Sequence, residues 1–123
     1  MINQYFSEFG NIVDRFEFII ASDIHKRKVN DFLGIIEGTL HFENGILDIP
    51  EVIRYVDNRL INIKYKYHYR NINNEMIFRY DNAPHHQNVD TFPDHKHTGE
   101  KVTKSKKPDI YGVLSEIKSY LAD

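Results

Sequence analysis

The chain has 123 residues, no cysteine, a formal net charge of −2, 41% hydrophobic and 28% charged residues. That length and composition fit one folded domain, residues 1–123, with a single modest core, and exclude a disordered polymer, disulfides, a thiolate nucleophile and a cysteine metal site. There is no run of about 18 apolar residues to cross a membrane, and the N-terminus lacks the basic and apolar regions of a signal peptide, so the cytoplasm is the expected compartment and no membrane partner is expected.

In chain order, Ile2, Tyr5, Phe6, Phe9, Ile12 and Val13 recur at the spacing of an amphipathic helix over residues 2–12, with Gly10 as an early stop. Residues 16–29 read as a strand. It is apolar at Phe16, Phe18, Ile19 and Ile20 and solvated at His25-Lys26-Arg27-Lys28. Residues 33–42 and 46–56 read as a hairpin around Glu43-Asn44-Gly45. With Asn44 and Gly45 in the loop, Phe42 faces Leu47, Leu40 faces Ile49, and His41 faces Asp48 as an exposed cross-strand pair. Pro50 cannot donate to a ladder, which predicts an edge strand or a bulge there.

Residues 60–70 alternate strictly. Tyr65, Tyr67 and Tyr69 share one face; Lys64, Lys66, His68 and Arg70 share the other. The chain turns at Asn71 to Asn74 and returns over residues 75–81. A four-residue loop pairs Tyr69 with Met76, Tyr67 with Phe78 and Tyr65 with Tyr80, giving a wholly aromatic and apolar face. It also sets Lys66 against Arg79 and Lys64 against Asp81. Like charges directly opposite cost up to about 1 kcal/mol, which a bound phosphate would offset.

Residues 82–108 read as a long loop rich in His and Lys, with only a short extended piece at 101–104 and a mobile basic second half. A closing helix follows Pro108-Asp109, capped by Asp109 or Ser105, with Ile110, Val113, Leu114, Ile117 and Leu121 as its apolar stripe. The expected fold is α+β: a mainly antiparallel meander of four to five strands with the N- and C-terminal helices on one face.

Function concentrates in the stretch from Arg79 to His97. Four of the seven histidines lie there, His85, His86, His95 and His97, with His68 on a neighbouring strand. Turns need turn formers, not imidazoles; an imidazole exchanges protons near neutral pH, donates to phosphate or ligates a metal. Residues 64–107 hold nine Lys/Arg against five Asp/Glu, so this region is basic on an acidic chain and favours an anionic ligand.

Arg79-Tyr80-Asp81-Asn82-Ala83-Pro84-His85-His86, followed by Phe92-Pro93-Asp94-His95-Lys96-His97, resembles the signature of the TumE family, small bacterial and archaeal toxin components of toxin–antitoxin pairs. The likeness reaches upstream through Tyr65 to Tyr69 and downstream to the closing helix. The family often has a second histidine where this chain has Asp94. The resemblance implies an antitoxin partner, usually a small helix-turn-helix protein.

Three chemistries fit the residues. In the first, histidines cut RNA as acid and base, with Asp81 orienting an imidazole and Lys66, His68, Arg70, Arg79 and Lys96 holding phosphate. In the second, His95 and His97 project to the same side of an extended segment and, with His85 or His86 and Asp81, ligate a divalent metal. In the third, the imidazoles pin the loop. No organic cofactor is expected. Two function classes follow: an RNA-cutting toxin, or a non-catalytic module whose histidine loop recognises nucleic acid, a protein partner or a structural metal.

Overall fold

The computed structural model describes residues 1–121. Its elements are α1 (Ile2–Asp14), β1 (Ala21–Asn30), β2 (Leu33–Phe42), β3 (Gly45–Val56), β4 (Arg59–Asn71), β5 (Met76–Asp81), β6 (His95–Thr98), β7 (Lys101–Lys104) and α2 (Ile110–Tyr120). The strands form one antiparallel sheet in sequence order, a meander from β1 to β7.

Period-2 alternation sorts the sheet into two faces. Ile36, Leu40, Leu47, Ile49, Ile53, Tyr65, Tyr67, Tyr69, Phe78 and Tyr80 point to one side. Ile2, Phe6, Phe9 and Val13 of α1 and Ile110, Val113, Leu114 and Ile117 of α2 join them in a single core. Asp109 starts α2 as expected, its carboxylate accepting the Gly112 amide at 2.7 Å. One charge is built into this core: Glu51, fully buried, accepts from the hydroxyls of Tyr5 and Tyr67 and from the Asn62 amide. Lys107 donates to the Tyr67 hydroxyl at 3.3 Å and lies 5.1 Å from the Tyr65 ring centroid. Burial holds the Lys107 amine below its ordinary pKa. The basic segment before α2 is therefore anchored at Lys107 rather than a free tether.

The fold corrects several expectations. There are seven strands, not four to five, because the stretch 82–108 contains the β6–β7 hairpin. Neither strand shows hydrophobic alternation: His95-Lys96-His97-Thr98 is polar on both faces, so its period cannot be read from hydropathy. Helix α1 runs through Gly10 to Asp14. Phe16, Phe18 and Ile19 precede β1 rather than opening a strand, and pack against the edge of the core.

Both predicted hairpin registers are two residues off. Leu40 pairs with Leu47, and His41 with Ile46 rather than Asp48. Tyr67 pairs with Tyr80, Tyr69 with Phe78, and Lys66 with Asp81 rather than Arg79. An even shift leaves every side chain on its predicted face, so the apolar pattern cannot detect it. The loop of the first hairpin is Glu43-Asn44. Gly45 is already in β3, where a Cβ would come within 2.6 Å of the Arg70 carbonyl oxygen. Pro50 lies in an interior strand; the β3–β4 ladder pairs Asp48 with His68 and resumes at Glu51 with Tyr65, stepping over it.

Candidate functional site

The helices cover one face of the sheet, and the chemistry lies on the other. Arg79 and Asp81 are two apart on β5, and His95 and His97 two apart on β6, so each pair projects to one side. Cross-strand pairing then builds two rows: Lys66, Asp81 and His95 in one, His68, Arg79 and His97 in the next. The predicted Lys66–Arg79 clash does not arise, because Lys66 stands opposite Asp81 and Arg79 is ion-paired to that carboxylate.

Asp81 is the buried centre. Its Oδ2 accepts Arg79 Nε at 2.9 Å, and its Oδ1 accepts the Ala83 amide at 3.0 Å and lies 2.9 Å from His95 Nε2. His95 is 2% exposed. Its Nδ1 lies 2.8 Å from the Pro93 carbonyl. A carbonyl only accepts, so Nδ1 carries a proton and donates, and Nε2 is the nitrogen aimed at the carboxylate.

His97 Nε2 lies 3.1 Å from Arg79 Nη2 and 3.5 Å from Asp81 Oδ2. A guanidinium only donates, so Nε2 accepts and offers a lone pair. Burial lowers the His97 pKa, and the Arg79 charge, His95 and His86 push it down further against Asp81. His86, on the loop after β5, closes the group. Its ring centroid is 4.9 Å from that of His95 and 5.2 Å from that of His97, and the latter two are 4.8 Å apart. One nitrogen from each ring falls within 4.8 Å of the others.

These groups line a pocket of about 730 Å³. His85 is exposed on its wall, outside the triad of rings. Lys64 and Lys66 stand at its border, exposed and in no ion pair among the described residues.

Three predicted phosphate holders are not at the pocket. Lys96 alternates with His95 and His97 and therefore faces the helices, where it is bound to Glu116 at 2.8 Å and lies over the rings of Tyr80 and Phe78. Arg70 is committed to Asp48 through two nitrogens, at 2.8 and 3.3 Å. His68 shares the face but lies outside the pocket wall; burial lowers its pKa, with Arg79, Lys66 and Arg70 acting with burial and Asp48 against.

Sequence reasoning missed the residues that support the pocket. Asn82 accepts the Tyr65 amide at 3.1 Å and donates to the Ile63 carbonyl at 3.0 Å, holding the end of β4 against the pocket. Asp94 accepts the Tyr65 hydroxyl at 2.8 Å. Thr91 donates to the Asp94 carbonyl at 2.6 Å and accepts the Ser105 amide. The only signal available was that Asn, Asp and Thr are short polar side chains suited to bonding nearby backbone.

A family model described as Toxin TumE matches residues 10–123. The chain belongs to the TumE family. No curated protein and no solved structure matches it. Of the residues quoted for the resemblance, Arg79, Asp81, His95 and His97 are brought together by the sheet and His86 by the loop after β5, while His85 and Lys96 stay outside the group. Membership of this toxin family implies a cognate antitoxin as partner. Among the described residues no helix is long and apolar enough to cross a membrane.

Chemically, the pocket combines cations at its border, a fixed carboxylate on its floor and imidazole nitrogens with a lone pair to offer. That combination suits a phosphate ester: charge on the phosphoryl oxygens can be met by Lys and Arg, and a nucleophile can be activated beside it.

Proposed function

We propose that this TumE-family toxin is a ribonuclease and that the pocket on the open face of its sheet is where RNA is cut. The observation that carries the reading is the meeting of His86, His95, His97, Arg79 and Asp81 in one pocket, beside two exposed lysines. Lys64 and Lys66 hold the backbone phosphates at the border. Arg79, anchored through Nε to Asp81 and through Nη2 to His97, has its Nη1 left for the phosphoryl group. Its charge offsets what develops on the non-bridging oxygens as the ester is attacked. The attacking hydroxyl gives its proton to a lone pair of the imidazole cluster as the new O–P bond forms, the P–O bond to the leaving oxygen breaks, and that oxygen takes its proton from a protonated imidazole of the same cluster. Asp81 and the Pro93 carbonyl keep His95 in one orientation throughout.

The pocket lies on a sheet face, one of the settings in which single-stranded RNA is bound. The side chains of Tyr67 and Tyr69 are in the core, and Tyr65, on the pocket wall, is 2% exposed with its hydroxyl bound to Asp94. The partner that restrains the toxin is, in this reading, a small helix-turn-helix antitoxin.

The test is induction of the wild type and of a His97→Ala variant in a host without the antitoxin gene, following growth and RNA integrity together. Growth arrest with RNA cleavage is expected from the wild type alone, with folded variant protein confirmed by circular dichroism. Arrest with intact RNA would move the target elsewhere. No arrest from folded protein would favour a binding module.

A further inference from the structure

We infer that His86, His95, His97 and Asp81 form a binding site for one divalent transition metal of the zinc class. The site lies in the pocket assigned above to RNA cutting and rests on that reading; with the ion bound, the imidazole lone pairs are its ligands, and the proton of the attacking hydroxyl would go to a hydroxide carried by the ion as a fifth ligand. Three imidazoles and a carboxylate are the nitrogen and oxygen donors of a four-coordinate zinc-class centre, whereas Mg2+ prefers oxygen throughout.

The spacing is near what such a centre needs. Metal–ligand bonds of about 2.0–2.1 Å place tetrahedral ligands roughly 3.4 Å apart. His95 Nε2 and Asp81 Oδ1 are 2.9 Å apart, and His97 Nε2 and Asp81 Oδ2 are 3.5 Å apart. The three imidazole nitrogens, within 4.8 Å of one another, need to close by about 1.4 Å at most to reach that spacing, and His86 on its loop is the ring that can move. His86 is half-buried and outside any strand, so that motion disturbs no ladder.

The outer contacts are those that ready a ligand set. Nδ1 of His95 donates to the Pro93 carbonyl, which fixes the ring with Nε2 toward the centre. Asp81 is held by the Ala83 amide and Arg79 Nε. His95 Nε2 and Asp81 Oδ1 are two acceptor atoms at hydrogen-bond distance inside a buried site, and something positive has to lie between them. A proton on Nε2 is one solution; a metal ion is the other, and it alone also uses the lone pairs of His86 and His97. Arg79 Nη2 is the present partner of His97 Nε2. An ion that takes His97 releases that nitrogen of the guanidinium toward a phosphate, while Nε keeps its carboxylate. Metal and substrate sites are thereby joined through one arginine.

The experiment is titration of the full chain, after dialysis against chelator, with Zn2+ by calorimetry and with Co2+ by visible absorption. The expected result is one equivalent bound, a Co2+ spectrum of tetrahedral intensity, and a rise in melting temperature with Zn2+. His86→Ala and His97→Ala, both outside the buried core, should each weaken binding by about 100-fold or more, given that even outer-shell changes cost about 10–100-fold. His85→Ala, one residue away but outside the triad, should bind as the wild type does. Folded wild type with no Co2+ band and no heat of Zn2+ binding would overturn the site. So would wild-type affinity in both His86→Ala and His97→Ala. Because the readout is binding, a chain that takes up the ion yet leaves RNA whole would keep the metal and remove the ribonuclease.

Discussion

Asp81 is the residue on which the candidate pocket depends. It bonds Arg79, the Ala83 amide and His95 at once, and it is 6% exposed. Removing it leaves a guanidinium half-anchored and a buried imidazole without its partner. Breaking a buried ion pair from one side costs about 3–5 kcal/mol. Asp81→Ala is therefore expected to lower the unfolding free energy by about 3 kcal/mol, read as a drop in the urea midpoint at unchanged slope. A change within the noise of the wild-type midpoint would mean that these contacts do not form in solution. At this scale the sequence was partly legible. Imidazole density pointed at the stretch where the structure gathers three of the rings, and Arg79 and Asp81, named with it, lie beside them. Lys96 was misplaced because a segment read as loop has no alternation. Once β6 is a strand, a residue between two histidines on the open face has to point toward the helices.

At the scale of elements, faces were readable and registers were not. Alternation assigned the tyrosines of β4 to the core and Lys66 to the open side, and both assignments hold. Which residue lies opposite which was settled instead by close contacts invisible in a hydropathy pattern. Gly38 is the sharpest of these. It sits in β2 opposite Ile24 with φ at 148°, and a Cβ there would fall 2.0 Å from the Asp23 carbonyl oxygen. No side chain can move to relieve that, since the obstacle is backbone. Gly38→Ala is expected to cost about 1–3 kcal/mol of backbone strain and to loosen β1 from β2. Because β1 is an edge strand with almost wholly exposed side chains, the loss should be local. Hydrogen exchange checks it: amides of β1 should lose protection while those of β4 and β5 keep theirs. Uniform loss across the sheet, or none, would contradict this placement of Gly38.

For the whole molecule, the question is where the cations are free. The basic character of residues 64–107 was plain from composition, but composition could not say which charges are already spent. Packing answers it: Arg70 is taken by Asp48, Arg79 by Asp81, Lys96 by Glu116, and Lys107 by Tyr67 and the Pro108 carbonyl. Lys101, Lys104 and Lys106 are exposed on and after β7, outside the pocket lining, while Lys64 and Lys66 remain exposed at the pocket border. If RNA lies along this face, these two side chains make the phosphate contacts and release the counterions. Each phosphate neutralised on a single strand contributes about 0.7 to the slope of log affinity against log salt. A Lys64→Ala/Lys66→Ala double variant is thus expected to flatten that slope by about 1.4, with an unlabelled competitor chase confirming that the RNA bound is the same species. Fluorescence anisotropy with a short single-stranded RNA, at several salt concentrations, measures it. Both substitutions are at exposed positions, so the fold and the imidazole cluster should be untouched. An unchanged slope in folded double variant would mean that RNA does not approach the toxin across the open face of β4, and the pocket would need another ligand.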